Sequence, residues 1–322
     1  MKKILVFTSG GDAPGMNAAI RAVVRMACLQ NIQVVGAIGG YAGILNQKFQ
    51  ALNLRDAANI IQRGGTILKT GRCLEFLKPE GRQKAALVLQ QENIDGIVCI
   101  GGDGSFRGAQ LLAAEHGYKI IGVPGTIDND IFGSEDSIGF DTAVNTALEA
   151  IDRIRDTAAS HDRLFIVEVM GRNSGFIASH VGLAGGAEDI FTPDGHSTVD
   201  KAIQRIQEAS KKGKTSSILI TAEGQKPGRA YDLADSIRKK SGLDAKVCIL
   251  GHQQRGGSPT AHDRILASRM GASAVHALLQ GKSNIMIGTR GNELIEVPFD
   301  IATQTHKKSP LSYVDLALQL AT

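Results

Sequence analysis

The sequence predicts an α/β protein of two Rossmann-like domains, each built on a parallel-rich sheet with helices on both faces. Three observations carry this. Short apolar runs rich in β-branched residues alternate with segments of helical period. The chain has 322 residues, more than one hydrophobic core usually serves. Several apolar runs end in glycine-rich or acidic turns, and in open parallel sheets ligands gather outside the carboxyl ends of strands.

In chain order, Met1-Lys2-Lys3 leads into an apolar strand over 4–8, and a glycine turn opens a helix over 18–29, where alanine, isoleucine and valine recur at helical spacing. A second apolar run predicts a strand over 34–38. A helix over 81–91 precedes the strand at 96–100, and a helix over 106–115 precedes the strand at 120–123. The segment 142–157 has helical period and leads to a strand over 164–169. A helix over 199–212, a strand over 217–221, a helix over 233–241 and a strand over 247–250 complete the alternation, with no repeat or low-complexity tract. A boundary falls near Gly139-Phe140-Asp141, where the 130–139 loop gives way to the long helix. The first domain is expected to take residues 1–139 with about 252–300, and the second 140–251 with a C-terminal segment of about 301–322. The return of 252–300 to the first domain does not follow from periodicity.

Composition narrows the function classes. Hydrophobic residues make up 43% and charged residues 21%, an ordinary soluble balance. No signal peptide and no apolar run near the ~20 residues of a membrane span is present, so a cytoplasmic location is expected. Cys28, Cys73, Cys99 and Cys248 form no CxxC pair, which argues against a zinc site or a disulfide framework. The net charge of +4 is dispersed without interleaved aromatics, so nucleic acid is not an expected partner and small anions are.

Two carboxylate-bearing turns carry the chemistry. Pro124-Gly125-Thr126-Ile127-Asp128-Asn129-Asp130 follows one buried run, and Gly101-Gly102-Asp103-Gly104-Ser105 follows another. One carboxylate can hold magnesium while the other accepts a proton from an attacking hydroxyl, as phosphoryl transfer requires. An Asp-Asn-Asp turn on its own reads more readily as side chains capping their own backbone, and the second turn is what tips the balance. The residues around Asp103 are all small, which leaves room for a triphosphate. At the amino terminus, Ser9-Gly10-Gly11-Asp12-Ala13-Pro14-Gly15-Met16-Asn17 joins a strand to a helix, where backbone amides and the helix end favour an anion. No Gly-Lys-Ser/Thr follows, so it is neither a Walker A loop nor a dinucleotide fingerprint.

These three turns, with Glu168-Val169-Met170-Gly171-Arg172 and Gly251-His252-Gln253-Gln254-Arg255-Gly256-Gly257-Ser258-Pro259, together resemble the bacterial ATP-dependent 6-phosphofructokinases (the phosphofructokinase A family) from Met1 to about Gly281. The resemblance implies a glycolytic kinase transferring the ATP γ-phosphoryl group to O1 of fructose 6-phosphate, magnesium-dependent, allosteric and homotetrameric. It implies Asp128 as the base, with Thr126 and Asp130 beside it, and Arg172, Arg72 and the Gly11 amide on the transferred group. Asp103 is implied as the magnesium anchor, and Tyr41, Cys73, Gly102, Gly104, Ser105 and Gly108 as further ATP contacts. For the sugar phosphate it implies Met170, Gly171, Glu223, His252 and Arg255, with Arg163 and Lys246 reaching in from a neighbouring subunit. The effector pocket for ADP and phosphoenolpyruvate is implied at Arg21, Arg25, Arg155, Gly186, Glu188, Lys212 and Lys214.

Duller readings stand beside these. Without the resemblance, His252 and Met170 read more readily as core residues beside a strand, and Arg21 and Arg25 as a solvated helix face. Glu168 lies inside a strand buried on both sides and needs a partner, expected to be Arg172 or another base.

Some positions depart from the family pattern. Lys246 stands where arginine is usual, replacing a bidentate fork by a point charge. Leu77 replaces an arginine often found near the nucleotide, with Lys78 beside it. Leu54, Ala58 and Asn59 stand where arginine, serine and aspartate are frequent in the effector pocket, and Arg55 is the expected substitute for the missing charge. The rival readings are a pyrophosphate-dependent relative and a catalytically silent nucleotide-binding subunit. The first tends to carry aspartate at 104 and lysine at 125, here Gly104 and Gly125, and the second would lack Asp128 or Arg172.

Overall fold

The structure is a computed structural model and describes residues 1–160, 163–304 and 307–321. The first half of the chain runs β1 (Lys3–Ser9), α1 (Met16–Leu29), β2 (Gln33–Ala37), α2 (Tyr41–Leu45), β3 (Phe49–Leu52), α3 (Pro79–Gln91), β4 (Gly96–Gly101), α4 (Asp103–His116), β5 (Ile120–Pro124) and α5 (Phe140–Ser160). It continues with β6 (Leu164–Val169), α6 (Phe176–Ala184), β7 (Asp189–Phe191), α7 (Val199–Lys211), β8 (Ser217–Ala222), α8 (Arg229–Ser241) and β9 (Ala245–Ile249). The last stretch is α9 (Ala261–Leu279), β10 (Ile285–Arg290), β11 (Glu293–Pro298), α10 (Phe299–Gln304) and α11 (Leu311–Leu320). Among the described residues, no helix is long and apolar enough to cross a membrane.

The chain divides into two compact units. One comprises Met1–Ile127, Ile131–Thr142 and Arg255–Lys307; the other comprises Asp128–Asp130, Ala143–Gln254 and Lys308–Thr322. The first unit holds a seven-stranded sheet in the order β11-β10-β5-β4-β1-β2-β3. Its inner pairs are parallel, and the outer pairs β2–β3 and β10–β11 are antiparallel. Successive crossovers leave β1 on one side and β4 on the other, so the order reverses between them, the place where such sheets bind ligands. The core on one face includes Phe7, Tyr41, Phe76, Leu89, Ile97, Phe106, Leu112 and Phe299. The second unit holds a four-stranded, all-parallel sheet in the order β7-β8-β6-β9. Its core packs Ile166 and Leu219 against Ile203, Ile206, Leu233 and Ile237 of α7 and α8.

Strand positions read from apolar runs agree with the structure to within a residue or two. What periodicity did not reveal has short or weak patterns. β3 and β7 span only four and three residues. α9 approaches α1 through small residues, Gly271 above all, where a Cβ would lie 2.7 Å from the Ala19 carbonyl, and its buried face mixes Leu266, Met270, Val275 and Leu278 with Asp263, glycine and three alanines.

Candidate active site

In the first unit, register brings three turns side by side: Ser9 pairs with Gly101, and Gly101 with Pro124. The glycine turn after β1, the Asp103 turn after β4 and the Thr126 turn after β5 therefore share one edge. Gly125 N–H donates to the Gly101 carbonyl at 3.0 Å, and Ser137 Oγ donates to the Thr126 carbonyl at 2.7 Å, which fixes the last two turns.

The Asp103 turn opens α4 with Gly102 at the cap and no side-chain cap bond; Ser105 N–H bonds the Gly102 carbonyl at 3.0 Å, and the helix end at Asp103 and Gly104 is what an anion site would need. A Cβ on Gly104 would meet nothing within 4 Å, and one on Gly102 only Thr126 Cβ at 3.9 Å. The protein's own packing therefore does not require glycine at either position, whereas a ligand lying on them would. Asp103 pairs with Arg107 at 3.1 Å, one turn along α4. A single carboxylate in this turn suits Mg²⁺, which is held by one or two carboxylates plus phosphate oxygens. No cluster of three or more acidic, histidine or cysteine ligands exists among the described residues.

Tyr41 is buried rather than open to a ligand. Its ring stacks on Phe76 with centroids 3.9 Å apart, and its hydroxyl donates to the Ser105 carbonyl at 2.6 Å. Burial, with Cys99 beside it, raises the Tyr41 hydroxyl pKa well above the usual phenol value, and burial pushes the Cys99 thiol up to about 12. Tyr41 thus touches the Asp103 turn from behind. Gly108 packs on Tyr41 and Phe76, Cys73 is half-buried against the same core, and Arg72 is exposed. Arg255 belongs to this unit: its Nη1 donates to the Asp12 carbonyl at 3.0 Å and lies 2.5 Å from where a Gly11 Cβ would be, so a larger residue there would push the guanidinium aside.

In the second unit, Glu168 pairs with both Thr221 and Ile249, so the turns after β6, β8 and β9 lie side by side. They carry Met170-Gly171-Arg172, Glu223 and exposed His252. Gly171 and Arg172 both have positive φ, at 134° and 49°. The Ser174 N–H closes the turn onto the Gly171 carbonyl at 2.7 Å, and Arg172 N–H donates to Glu223 Oε1 at 3.3 Å. Asp128 is 6% exposed, and its carbonyl accepts Ser174 Oγ at 2.7 Å, so Ser174 joins the Asp128 turn to the Arg172 turn. Asp130 is half-buried. Burial raises the Glu223 carboxyl above its usual value, the Arg172 N–H opposes this, and the charge of Asp128 adds to the rise.

Glu168 departs from expectation. Among the described residues no arginine serves it; its two oxygens accept the Gly228 and Ala230 N–H groups, each at 2.8 Å, at the start of α8. The unpaired amides and positive dipole of a helix N-terminus do the work of a cation. Arg163 and Lys246 precede or open β6 and β9, five or more residues up the strands from Met170 and His252. At ~3.3 Å per residue they are remote from the other sugar-phosphate candidates of the same chain. Lys246 pairs instead with Asp244 at 2.7 Å, which holds the Asp244 carboxyl below its usual range, with Arg238 and Arg163 contributing.

Of the effector candidates, Arg21, Arg25 and Arg55 lie in the first unit and the other five in the second. Arg25 Nε is buried with no hydrogen-bond partner among the described residues. Arg155 donates to the Gly185 and Gly186 carbonyls, Lys214 pairs with Glu188 at 2.5 Å, and Lys212 lines a cavity of about 360 Å³ with Glu188, Lys201 and Arg205.

The family described as Phosphofructokinase matches residues 3–278. The chain belongs to the phosphofructokinase family. A curated relative, ATP-dependent 6-phosphofructokinase 1 of Thermus thermophilus, is 57% identical over 323 residues, covering 100% of each chain. The ATP-dependent 6-phosphofructokinase of Coxiella burnetii is 52% identical over 298 residues, covering 92% of this chain and 91% of its own. Among solved structures, phosphofructokinase from Saccharomyces cerevisiae superposes with a TM-score of 0.87 at 37% identity over 98% of this chain, which spans 46% of that longer one. A pyrophosphate-dependent phosphofructokinase from Marinobacter aquaeolei has a TM-score of 0.85 over 99% of this chain and 92% of its own, but at 24% identity it supports the fold alone.

Proposed function

We propose that this phosphofructokinase is the ATP-dependent 6-phosphofructokinase of glycolysis, moving the γ-phosphoryl group of ATP to O1 of fructose 6-phosphate to give fructose 1,6-bisphosphate and ADP. Full-length similarity to curated ATP-dependent enzymes supports the reaction. One observation carries the donor assignment: Gly104 is open, with nothing within 4 Å of a Cβ, while a Cβ on Gly125 would already press Ile100 at 3.1 Å and Met16 at 3.2 Å. A carboxylate at 104 would repel a nucleotide's phosphates, and a lysine at 125, suited to pyrophosphate, would have to displace core side chains.

In this reading Asp128 takes the 1-hydroxyl proton, with Thr126 and Asp130 beside it. A carboxylate is base enough because the transition state is loose and the proton leaves late. Arg172, Arg72 and the Gly11 amide neutralise charge gathering on the transferred group. Asp103 is the residue that would hold Mg²⁺, which when bound supplies charge neutralisation across the phosphate oxygens. Gly102, Gly104, Ser105, Gly108, Cys73 and Tyr41 hold the nucleotide, Tyr41 through the Ser105 carbonyl. Met170, Gly171, Glu223, His252 and Arg255 hold the sugar phosphate. The position of Arg163 and Lys246 at the starts of their strands supports their service to a second copy of the chain, hence a homotetramer with shared sites. Phosphoenolpyruvate and ADP act at the Arg21, Arg25, Arg55, Arg155, Gly186, Glu188, Lys212 and Lys214 set, with ADP the weaker because Leu54, Ala58 and Asn59 remove usual contacts. The protein works in the cytoplasm.

The test is to incubate purified protein with fructose 6-phosphate and γ-labelled ATP and locate the label. Label at the C1 phosphate of fructose 1,6-bisphosphate is expected; label released only as free phosphate would refute the transfer.

A further inference from the structure

Gln254 lies in the Gly251–Pro259 motif but has no part in the reaction described above. It is 0% exposed and carries no charge. Its Oε1 accepts the Met170 N–H at 2.8 Å and its Nε2 donates to the Ala143 carbonyl at 3.2 Å. A buried amide satisfied at both ends is rigid, and losing either partner would leave a polar group in the interior unpaired.

What it grips is a turn with two successive residues at positive φ. Met170 directly precedes Gly171 at φ 134° and Arg172 at φ 49°, and a Cβ on Gly171 would sit 2.7 Å from the Ser174 carbonyl. A non-glycine residue in the left-handed region persists only when its surroundings over-determine it. The surroundings here are countable. Ser174 N–H on the Gly171 carbonyl and Arg172 N–H on Glu223 fix the far side of the turn, and Ser174 Oγ ties it to the Asp128 carbonyl. On the near side the Val169 carbonyl accepts the Glu223 N–H at 2.9 Å, and the Gln254 amide is the side chain that holds the Met170 N–H, at the last residue before the chain turns, and anchors it to the first turn of α5.

We propose that Gln254 is a positioning residue for the sugar-phosphate turn: it sets Met170 and, through the chain, the direction of Arg172, without touching substrate. This rests on the reading that Met170, Gly171 and Arg172 meet fructose 6-phosphate.

The test is Gln254→Met, of similar shape but without either hydrogen bond, and Gln254→Glu, which keeps an acceptor for the Met170 N–H and loses the donor to Ala143. Small displacements of positioning groups cost up to ~100-fold. The KM for fructose 6-phosphate should rise about 10–100-fold in Gln254→Met, less in Gln254→Glu, while the KM for ATP stays within about twofold. Amide hydrogen exchange at residues 169–174 should quicken in the same order, with β4 unchanged. If Gln254→Met does not fold, Gln254→Glu decides alone, since selective weakening of the sugar phosphate is still expected of it. A KM for fructose 6-phosphate within twofold of the native protein, or equal effects on both substrates, would overturn the role. Should the unmodified protein show no activity on fructose 6-phosphate, the functional reading fails instead, and hydrogen exchange still reports whether Gln254 holds the turn.

Discussion

The two units end their strands in different material. In the first, β1 and β4 run into glycine, so the surface offered to a ligand is backbone: the amides opening α4, with Gly102 and Gly104 left open. In the second, β6 and β8 run into turns that carry Arg172 and Glu223, and the Arg172 turn is held through its backbone and Ser174, by Met170 N–H on Gln254, Arg172 N–H on Glu223 and Ser174 Oγ on the Asp128 carbonyl. A triphosphate chain is recognised by its charge, and amides with a helix end suffice. A sugar phosphate presents hydroxyls whose placement matters, and only side chains fixed from several directions can read them. The difference predicts that substitutions in the glycine turns act by filling space, and those in the second unit act by removing a contact.

The largest effect should follow from Asp128→Asn. The amide keeps the shape but accepts no proton, so kcat should fall about 10²–10⁴-fold. Calorimetric binding of fructose 6-phosphate should stay near that of the unmodified protein, and an unchanged kcat would remove Asp128 as the base.

Gly104→Asp probes the other unit. Like charges brought together cost several kcal/mol, so the KM for ATP should rise about 10–100-fold. Because the position is open, the thermal unfolding midpoint should barely move. Gly125→Lys should behave in the opposite way, losing about 1–3 kcal/mol of stability through overpacking against Ile100 and Met16. If both variants unfold alike, the distinction between ligand space and core space is wrong.

Glu168→Gln replaces a two-sided acceptor with an amide that can satisfy only one of the two helix N–H groups. The stability loss should be about 1–3 kcal/mol, measured by urea unfolding. No loss would mean that the α8 terminus does not depend on the carboxylate.

The smallest effect concerns pH. Burial raises the Glu223 carboxyl above its ordinary 4.5, so the folded chain binds that proton more tightly than the unfolded chain does. Its contribution to stability is therefore full below that ordinary value and is lost as pH rises through the folded one. Glu223→Gln should raise the unfolding midpoint relative to the native protein at pH 8 but not at pH 4, and the reverse pattern would contradict the assigned direction.

What the sequence disclosed follows the same division. The glycine turns were legible because each lies within a dozen residues of its strand, and strand, turn and helix follow one another in the chain. The partners of the second unit were not. Glu168 meets Gly228 and Ala230 about sixty residues away, and Gln254 meets Met170 across 84. A buried carboxylate could be seen to need a partner, but that the partner is a helix end rather than an arginine is a fact of tertiary structure. Tyr41 shows the converse: its place among the nucleotide residues came from resemblance, while its burial against Phe76 could only be seen in the fold.

The donor is ATP, admitted by an open glycine turn. Initial rates of the purified protein with fructose 6-phosphate and magnesium, given either ATP or pyrophosphate, test it most directly. Turnover with ATP and none above background with pyrophosphate is the predicted result, and turnover with pyrophosphate alone would contradict the account.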